Sequence, residues 1–138
     1  MRKIFFFSTG ILLCLAGWAV YAYMKPHRNV ANEKTNATVS AFLLYNDFKQ
    51  DEAGADKKWI GKIIEITGTV TSIIPAGIYT SINLKAAIDG GINCNVLSSD
   101  LSGEKSPFVG ETLTIKGKCT GFLLDVNLVD CIITNQSH

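Results

Sequence analysis

The chain has only two histidines and four cysteines in 138 residues, and each scarcity removes a class of function. His27 lies beside an apolar N-terminal segment and His138 closes the sequence, so neither stands where a fold positions a general base. There is no Ser–His–Asp set, no glycine-rich phosphate loop and no zinc-ligand spacing. The absence of C-x-x-C leaves the usual dithiol redox chemistry without its residues. The expectation is therefore a non-enzyme, with no catalytic residues, no metal and no cofactor. Positive charge is also short. Beyond residue 28 nine basic residues face twelve acidic ones, a net charge of −3. Such a body repels phosphate unless its lysines gather on one face, which counts against nucleic acid as a partner.

Apolar residues are abundant, and the excess is local. From Ile4 to Met24 there are 21 residues without a charge, rich in Ile, Leu and Phe, with Trp18, Tyr21 and Tyr23 near the far end. Arg2 and Lys3 precede the run; Lys25, His27 and Arg28 follow it. At about 1.5 Å per residue a helix of this length spans a hydrocarbon core of about 30 Å, and Trp and Tyr suit its interface. The competing possibility is a signal peptide cleaved after Val20-Tyr21-Ala22. The run exceeds the usual signal core of about 7–15 residues and bulky aromatics crowd the cut, which favours an uncleaved anchor. Cys14 follows Leu13, where a lipid-attachment site wants a small residue. Residues 1–28 are thus expected to anchor the chain in a membrane through 4–24, with the body on the extracytoplasmic side, or to export it if they are cleaved.

Residues 29–39 are small and polar, the composition of a tether. A helix is predicted over 40–60. Ser40 caps it, Val39 staples onto Leu44, and Ala41, Leu44, Tyr45, Phe48, Ala55 and Trp59 share one side. The period then changes to two. Strands are predicted around Ile64–Val70, Ile78–Leu84, Ile92–Val96, Leu113–Cys119 and Leu128–Ile133, with a polar interruption from Ser98 to Pro107. One segment echoes another: Gly61-Lys-Ile-Ile-Glu-Ile-Thr-Gly-Thr-Val70 matches Gly110-Glu-Thr-Leu-Thr-Ile-Lys-Gly-Lys-Cys119 position for position. A glycine inside a strand marks a bend, and two bent strands let a short barrel close. The fold class is therefore mainly β with one preceding helix: a five-stranded OB-fold barrel over 40–135, behind an N-terminal transmembrane or signal helix.

Several blocks also resemble a known family. They are Lys25-Pro-His-Arg28, Phe48 with Asp51-Glu52 and Ala55, Trp59-Ile-Gly-Lys62 and Ile-Glu-Ile-Thr-Gly-Thr-Val70. Lys116-Gly-Lys-Cys-Thr-Gly-Phe-Leu123, Asp125-Val126 and Leu128-Val-Asp-Cys131 complete the set. Together they are similar to the tRNA_anti-like OB-fold family of bacterial envelope proteins of lipoprotein type. The likeness covers nearly the whole chain, and Cys119-Thr-Gly-Phe-Leu123 with Cys131 is its most specific part. It implies an OB-fold with a preceding helix and supplies no substrate or reaction. The chain departs from a lipoprotein pattern in lacking a lipidation cysteine.

OB-folds bind ligands on their second and third strands and on the loops after the first and fourth. Those places hold Tyr79, Asn83, Asn93, Asn95, Phe122 and Leu123 as candidate ligand-binding residues. Tyr79 and Phe122 have rings to stack and the asparagines have amides to hydrogen-bond. The simpler role for Phe122 and Leu123 is to plug the barrel's end. Lys85 is the one cation nearby, too few for a nucleic-acid platform. Cys119 and Cys131 are equidistant from Asp125, so a hairpin turning there would put them within disulfide reach. Cys94 with Cys131, or three buried thiols, are the alternatives. The leading function is a membrane-tethered, non-enzymatic envelope module binding a small ligand, glycan or protein. The runner-up is a single-stranded nucleic-acid-binding OB protein.

Overall fold

The computed structural model describes residues 2–24 and 30–137. His27 and His138, and the basic residues following the apolar run, lie outside them. Helix α1 runs Arg2–Tyr23. Its window Phe6–Tyr23 has a mean hydropathy of 1.5 and is unburied among the described residues, and it is the one helix among them long and apolar enough to cross a membrane.

The folded body contains strands β1 (Ala37–Ser40), β2 (Ile63–Ala76), β3 (Tyr79–Lys85), β4 (Gly91–Leu97), β5 (Thr112–Phe122) and β6 (Val126–Ser137), with helices α2 (Ala41–Gln50) and α3 (Glu52–Trp59) between β1 and β2. The strand order is β1-β2-β3-β4-β6-β5, and β2 also pairs with β5, so β2 to β6 close into a five-stranded barrel. The pairing of β4 with β6 is parallel, whereas β2–β3, β3–β4, β5–β6 and β2–β5 are antiparallel. This is the OB architecture expected from the strand pattern.

Closure rests on the two echoing segments. The internal match aligns Ile66 with Ile115, and the β2–β5 ladder pairs those same two residues. The copies are therefore related by a local two-fold axis, and their end contacts repeat. Gly61 N–H donates to Cys119 O at 2.8 Å, and Gly110 N–H donates to Val70 O at 2.8 Å. Cys119 N–H donates to Lys62 O at 3.0 Å, and Val70 N–H donates to Glu111 O at 2.8 Å. Gly61 and Gly110 both have positive φ, 81° and 94°, where a Cβ is disfavoured. Each glycine turns its chain into the ladder, so the repeat in sequence becomes the seam of the barrel.

The barrel is filled by residues of period two, including Ile64, Ile66, Ile82, Leu84, Ile92, Leu113, Ile115 and Leu128, all wholly buried. Helix α2 covers one end with Ala41, Leu44, Tyr45 and Phe48. Ser40 caps it as expected, its Oγ accepting from Leu43 N–H at 3.2 Å. The helix predicted over 40–60 is two helices. Asp51 ends the first, and its carboxylate caps the second by accepting from Gly54 N–H at 3.1 Å. The change of direction keeps Ala55 and Trp59 on the same core as Phe48.

The segment expected as a free tether is docked on the barrel. Val30 is buried, and Asn36 exchanges hydrogen bonds with Ile63: Asn36 N–H donates to Ile63 O at 2.8 Å, and Ile63 N–H donates to Asn36 Oδ1 at 2.9 Å. Residues 37–40 then add β1 parallel to β2, and Lys116 Nζ donates to the Glu33 carbonyl. These contacts satisfy the backbone along a strand edge that would otherwise be open.

Candidate nucleic-acid or ligand-binding face

Alternation along β3 and β4 sends Thr80, Ile82, Leu84, Ile92, Cys94 and Val96 inward. Tyr79, Ser81, Asn83, Asn93 and Asn95 therefore share the outer face, all half-buried. Register brings the amides into line. Ser72 pairs with Asn83 on β2–β3, Asn83 with Asn93 on β3–β4, and Asn93 with Asn127 on β4–β6. The result is a polar row across four strands. Asn83 Nδ2 donates to Ser72 Oγ at 2.8 Å, Ser81 Oγ donates to Asn93 Oδ1 at 2.9 Å, and Asn127 Nδ2 donates to Asp125 O at 3.1 Å. These bonds fix the side chains while leaving further donors and acceptors of each amide to a ligand.

Beside this row lies a cleft of about 240 Å³ lined by Tyr79, Asn95, Val129 and Asp130. Two of its residues, Tyr79 and Asn95, are sequence candidates; Asp130 was not foreseen. A β-bulge builds the cleft. Cys94 pairs with Leu128 and Val96 with Cys131, so Asn95 alone opposes both Val129 and Asp130. On the other side Lys118 pairs with Val129 and Lys116 with Ile132, leaving Gly117 opposite Asp130 and Cys131. The extra residue is Asp130, held at φ 52°, the one non-glycine residue with positive φ among those described. The bulge sends Cys131 inward, where it is buried, and leaves Asp130 lining the outer cleft. Gly117 is required by that arrangement, because a Cβ there would lie 2.5 Å from Cys131 Sγ.

The remaining candidates divide. Phe122 stacks on Phe48, with centroids 5.8 Å apart and an interplanar angle of 18°, and meets Tyr45 edge-on at 5.8 Å. It belongs to the covered end of the barrel. Leu123 does not plug that end; it is 84% exposed at the tip of the β5–β6 turn, next to Leu124. A second cleft of about 470 Å³ near this turn carries Glu52 and Asp56 among its lining residues. Lys85, exposed at the end of β3, is the only lysine on β3 or β4, and every arginine of the chain lies at or before Arg28.

The disulfide expected between Cys119 and Cys131 does not form; both are free thiols. Three register shifts along β5–β6 invalidate counting from Asp125, and Cys119 faces Leu128 instead. Burial pushes the Cys119 thiol up to about 11. Burial, reinforced by the hydrogen-bonded Cys94 thiol, raises Cys131 well above the usual range. Both sit in the barrel interior as small apolar groups. Away from this face, Lys58 Nζ donates to Asp47 Oδ2 at 2.9 Å and Trp59 Nε1 donates to the same oxygen at 3.0 Å. The Lys58 bond holds the Asp47 carboxyl below its ordinary value. The pair ties α2 to α3. Among the described residues no cluster of three metal-ligating side chains occurs.

A closed OB barrel with a preceding helical cap and a polar, half-buried outer face defines the class: an OB-fold domain of binding type. The chain belongs to the tRNA_anti-like family, whose model matches residues 1–133. A solved structure of a lipoprotein from Klebsiella pneumoniae, to which nucleic-acid binding is ascribed, superposes with a TM-score of 0.59 at 16% identity, covering 71% of this chain and 92% of that one. A Leishmania major protein assigned as an aspartyl-tRNA synthetase gives a TM-score of 0.47 at 9% identity, covering 89% of this chain and 26% of the synthetase. No curated protein matches the chain in sequence.

Proposed function

We propose that this protein is a membrane-tethered, non-enzymatic binding module of the cell envelope, which takes its ligand on the outer face of β3, β4 and β6. The observation that carries this reading is the alignment of Asn83, Asn93 and Asn127 with Ser72, beside the cleft of Tyr79, Asn95 and Asp130. Aligned amides next to one ring recognise a small ligand, a glycan or an extended peptide through hydrogen bonds and stacking. Helix α1 supports the tether through its length and hydropathy. The body then stands on the extracytoplasmic side.

Binding of single-stranded nucleic acid is the second reading, favoured by what is ascribed to the Klebsiella structure. Charge opposes it here: the chain beyond residue 28 carries −3, and Asp130 stands in the very cleft where a backbone phosphate would approach. The test titrates the full chain, in nonionic detergent, with fluorescent single-stranded DNA and RNA at two salt concentrations. Expected dissociation constants are weaker than about 10⁻⁴ M at physiological salt. Micromolar or tighter binding that falls about 10³-fold between 50 and 200 mM salt would establish the second reading and reject the first.

A further inference from the structure

We infer that the cleft between Tyr79, Asn95 and Asp130 is a site for an alkylammonium group; the inference rests on the ligand face proposed above and names the chemistry at its polar end. The Asp130 carboxylate and the Asn95 carboxamide make no side-chain hydrogen bond or ion pair among the described residues. An ammonium has three donors and no acceptor, so it matches a carboxylate oxygen and an amide oxygen presented together. Tyr79 lines the same cleft, and an aromatic ring attracts a cation brought near its face. Val129 supplies an apolar wall for the methylene stem behind the charge.

Two further observations point the same way. The bulge that aims Asp130 outward holds that residue at φ 52°, in the left-handed region that non-glycine residues seldom adopt. A regular strand would have needed no such residue, and strain of this kind persists where the surrounding structure requires the geometry. The net charge of −3 beyond residue 28 also attracts a cation and repels an anion at long range.

The experiment is a nuclear magnetic resonance titration of the ¹⁵N-labelled full chain, in nonionic detergent, with n-butylammonium as the probe and n-butanol and butyrate as controls. Saturable shifts are expected at the Tyr79, Asn95 and Asp130 amides with n-butylammonium and with neither control. Asp130→Asn keeps the shape and, of the ordinary residues, best tolerates the left-handed backbone, so it should leave the spectrum folded and weaken the probe at least tenfold. Tyr79→Leu should weaken it severalfold. N-acetyl-lysine methylamide and glucosamine then show whether a peptide or an amino sugar presents the group better; binding of either at these residues supports the site. The inference is overturned if n-butanol shifts the same amides equally, or if Asp130→Asn binds within twofold of the parent. A neutral oligosaccharide that shifts Asn83, Asn93 and Asn127 while n-butylammonium shifts nothing would also overturn it, yet leave the wider face standing. Saturable ammonium binding with no larger ligand on the amide row would uphold the site and count against the wider face.

Discussion

Replacing Gly117 with alanine probes the bulge on which the candidate cleft depends. A Cβ at that position would lie 2.5 Å from Cys131 Sγ and 3.3 Å from Leu128 Cδ2 and Val129 O. Leu128 is wholly buried and Cys131 nearly so, which leaves the clash little room to relax. Overpacking of a filled core costs about 1–3 kcal/mol, partly offset by about 0.5–1 kcal/mol because alanine loses less entropy than glycine in a strand. A net loss of about 1–2 kcal/mol is expected for Gly117→Ala. Cys131→Ala alone removes one buried sulfur and should cost about 1 kcal/mol. In the double variant the clash is gone, so the coupling between the two changes should be about 2 kcal/mol, favouring the double variant. Urea unfolding of the full chain in nonionic detergent, followed by far-ultraviolet circular dichroism, measures all four corners of the cycle. Additive losses, with a coupling below about 0.5 kcal/mol, would refute the close approach and the bulge drawn from it.

The left-handed backbone at Asp130 is expected to separate substitutions by type: Asp130→Gly should raise stability by about 0.5–1 kcal/mol and Asp130→Val should lower it by about 1–2 kcal/mol, read from the same unfolding midpoints. The three body thiols should all be reduced. Mass spectrometry after denaturing alkylation without reductant should find Cys94, Cys119 and Cys131 each carrying the label. In the native protein at pH 8, Cys119, with its thiol at about 11, holds only about one part in a thousand as thiolate, so a water-soluble thiol reagent should modify it only as the barrel opens. Asp47→Asn should cost about 1 kcal/mol, since the Lys58 pair is partly exposed and the Trp59 bond adds to it. The carboxyl titrates below its ordinary 3.8 in the fold, so this contribution is complete above that pH and lost as pH falls through the lower folded value. An acid titration of stability in the parent and in Asp47→Asn should therefore diverge only above that lower value.

Much of the barrel is legible in the sequence because its signals are local. The period of two places Ile64, Ile82, Ile92, Leu113 and Leu128 inward, and the repeated Gly-x₆-Gly segments foretell a seam whose two sides the structure pairs through Ile66 and Ile115. Ser40 signals its helix through its capping hydroxyl. The features that escaped depend on partners distant in the chain. Strand β1 is four small residues, Ala37–Ser40, that become a strand only because β2 offers an edge. Asn127 joins the amide row through a parallel register with β4 that no spacing in the sequence announces. Asp130 has no turn glycine beside it, so the bulge is invisible until Gly117 and Asn95 lie opposite it. The cysteine pairing failed for the same reason, since symmetric counting about Asp125 assumes a ladder without bulges. The break at Asp51 was accessible: an aspartate followed by Glu52 is an N-cap signature overridden by the longer apolar stripe.

The claim on which the functional account turns is that ligand meets the outer face of β3, β4 and β6 rather than another wall of the barrel. Site-specific photocrosslinking in native membranes addresses it directly, with a benzophenone side chain placed once at Ser81, between Tyr79 and Asn83 on that face, and once at Thr67, exposed on β2 where it pairs with Thr114 of β5. A light-dependent adduct at Ser81 and none at Thr67 is the expected result. Equal labelling at both positions, or labelling at Thr67 alone, would contradict the account.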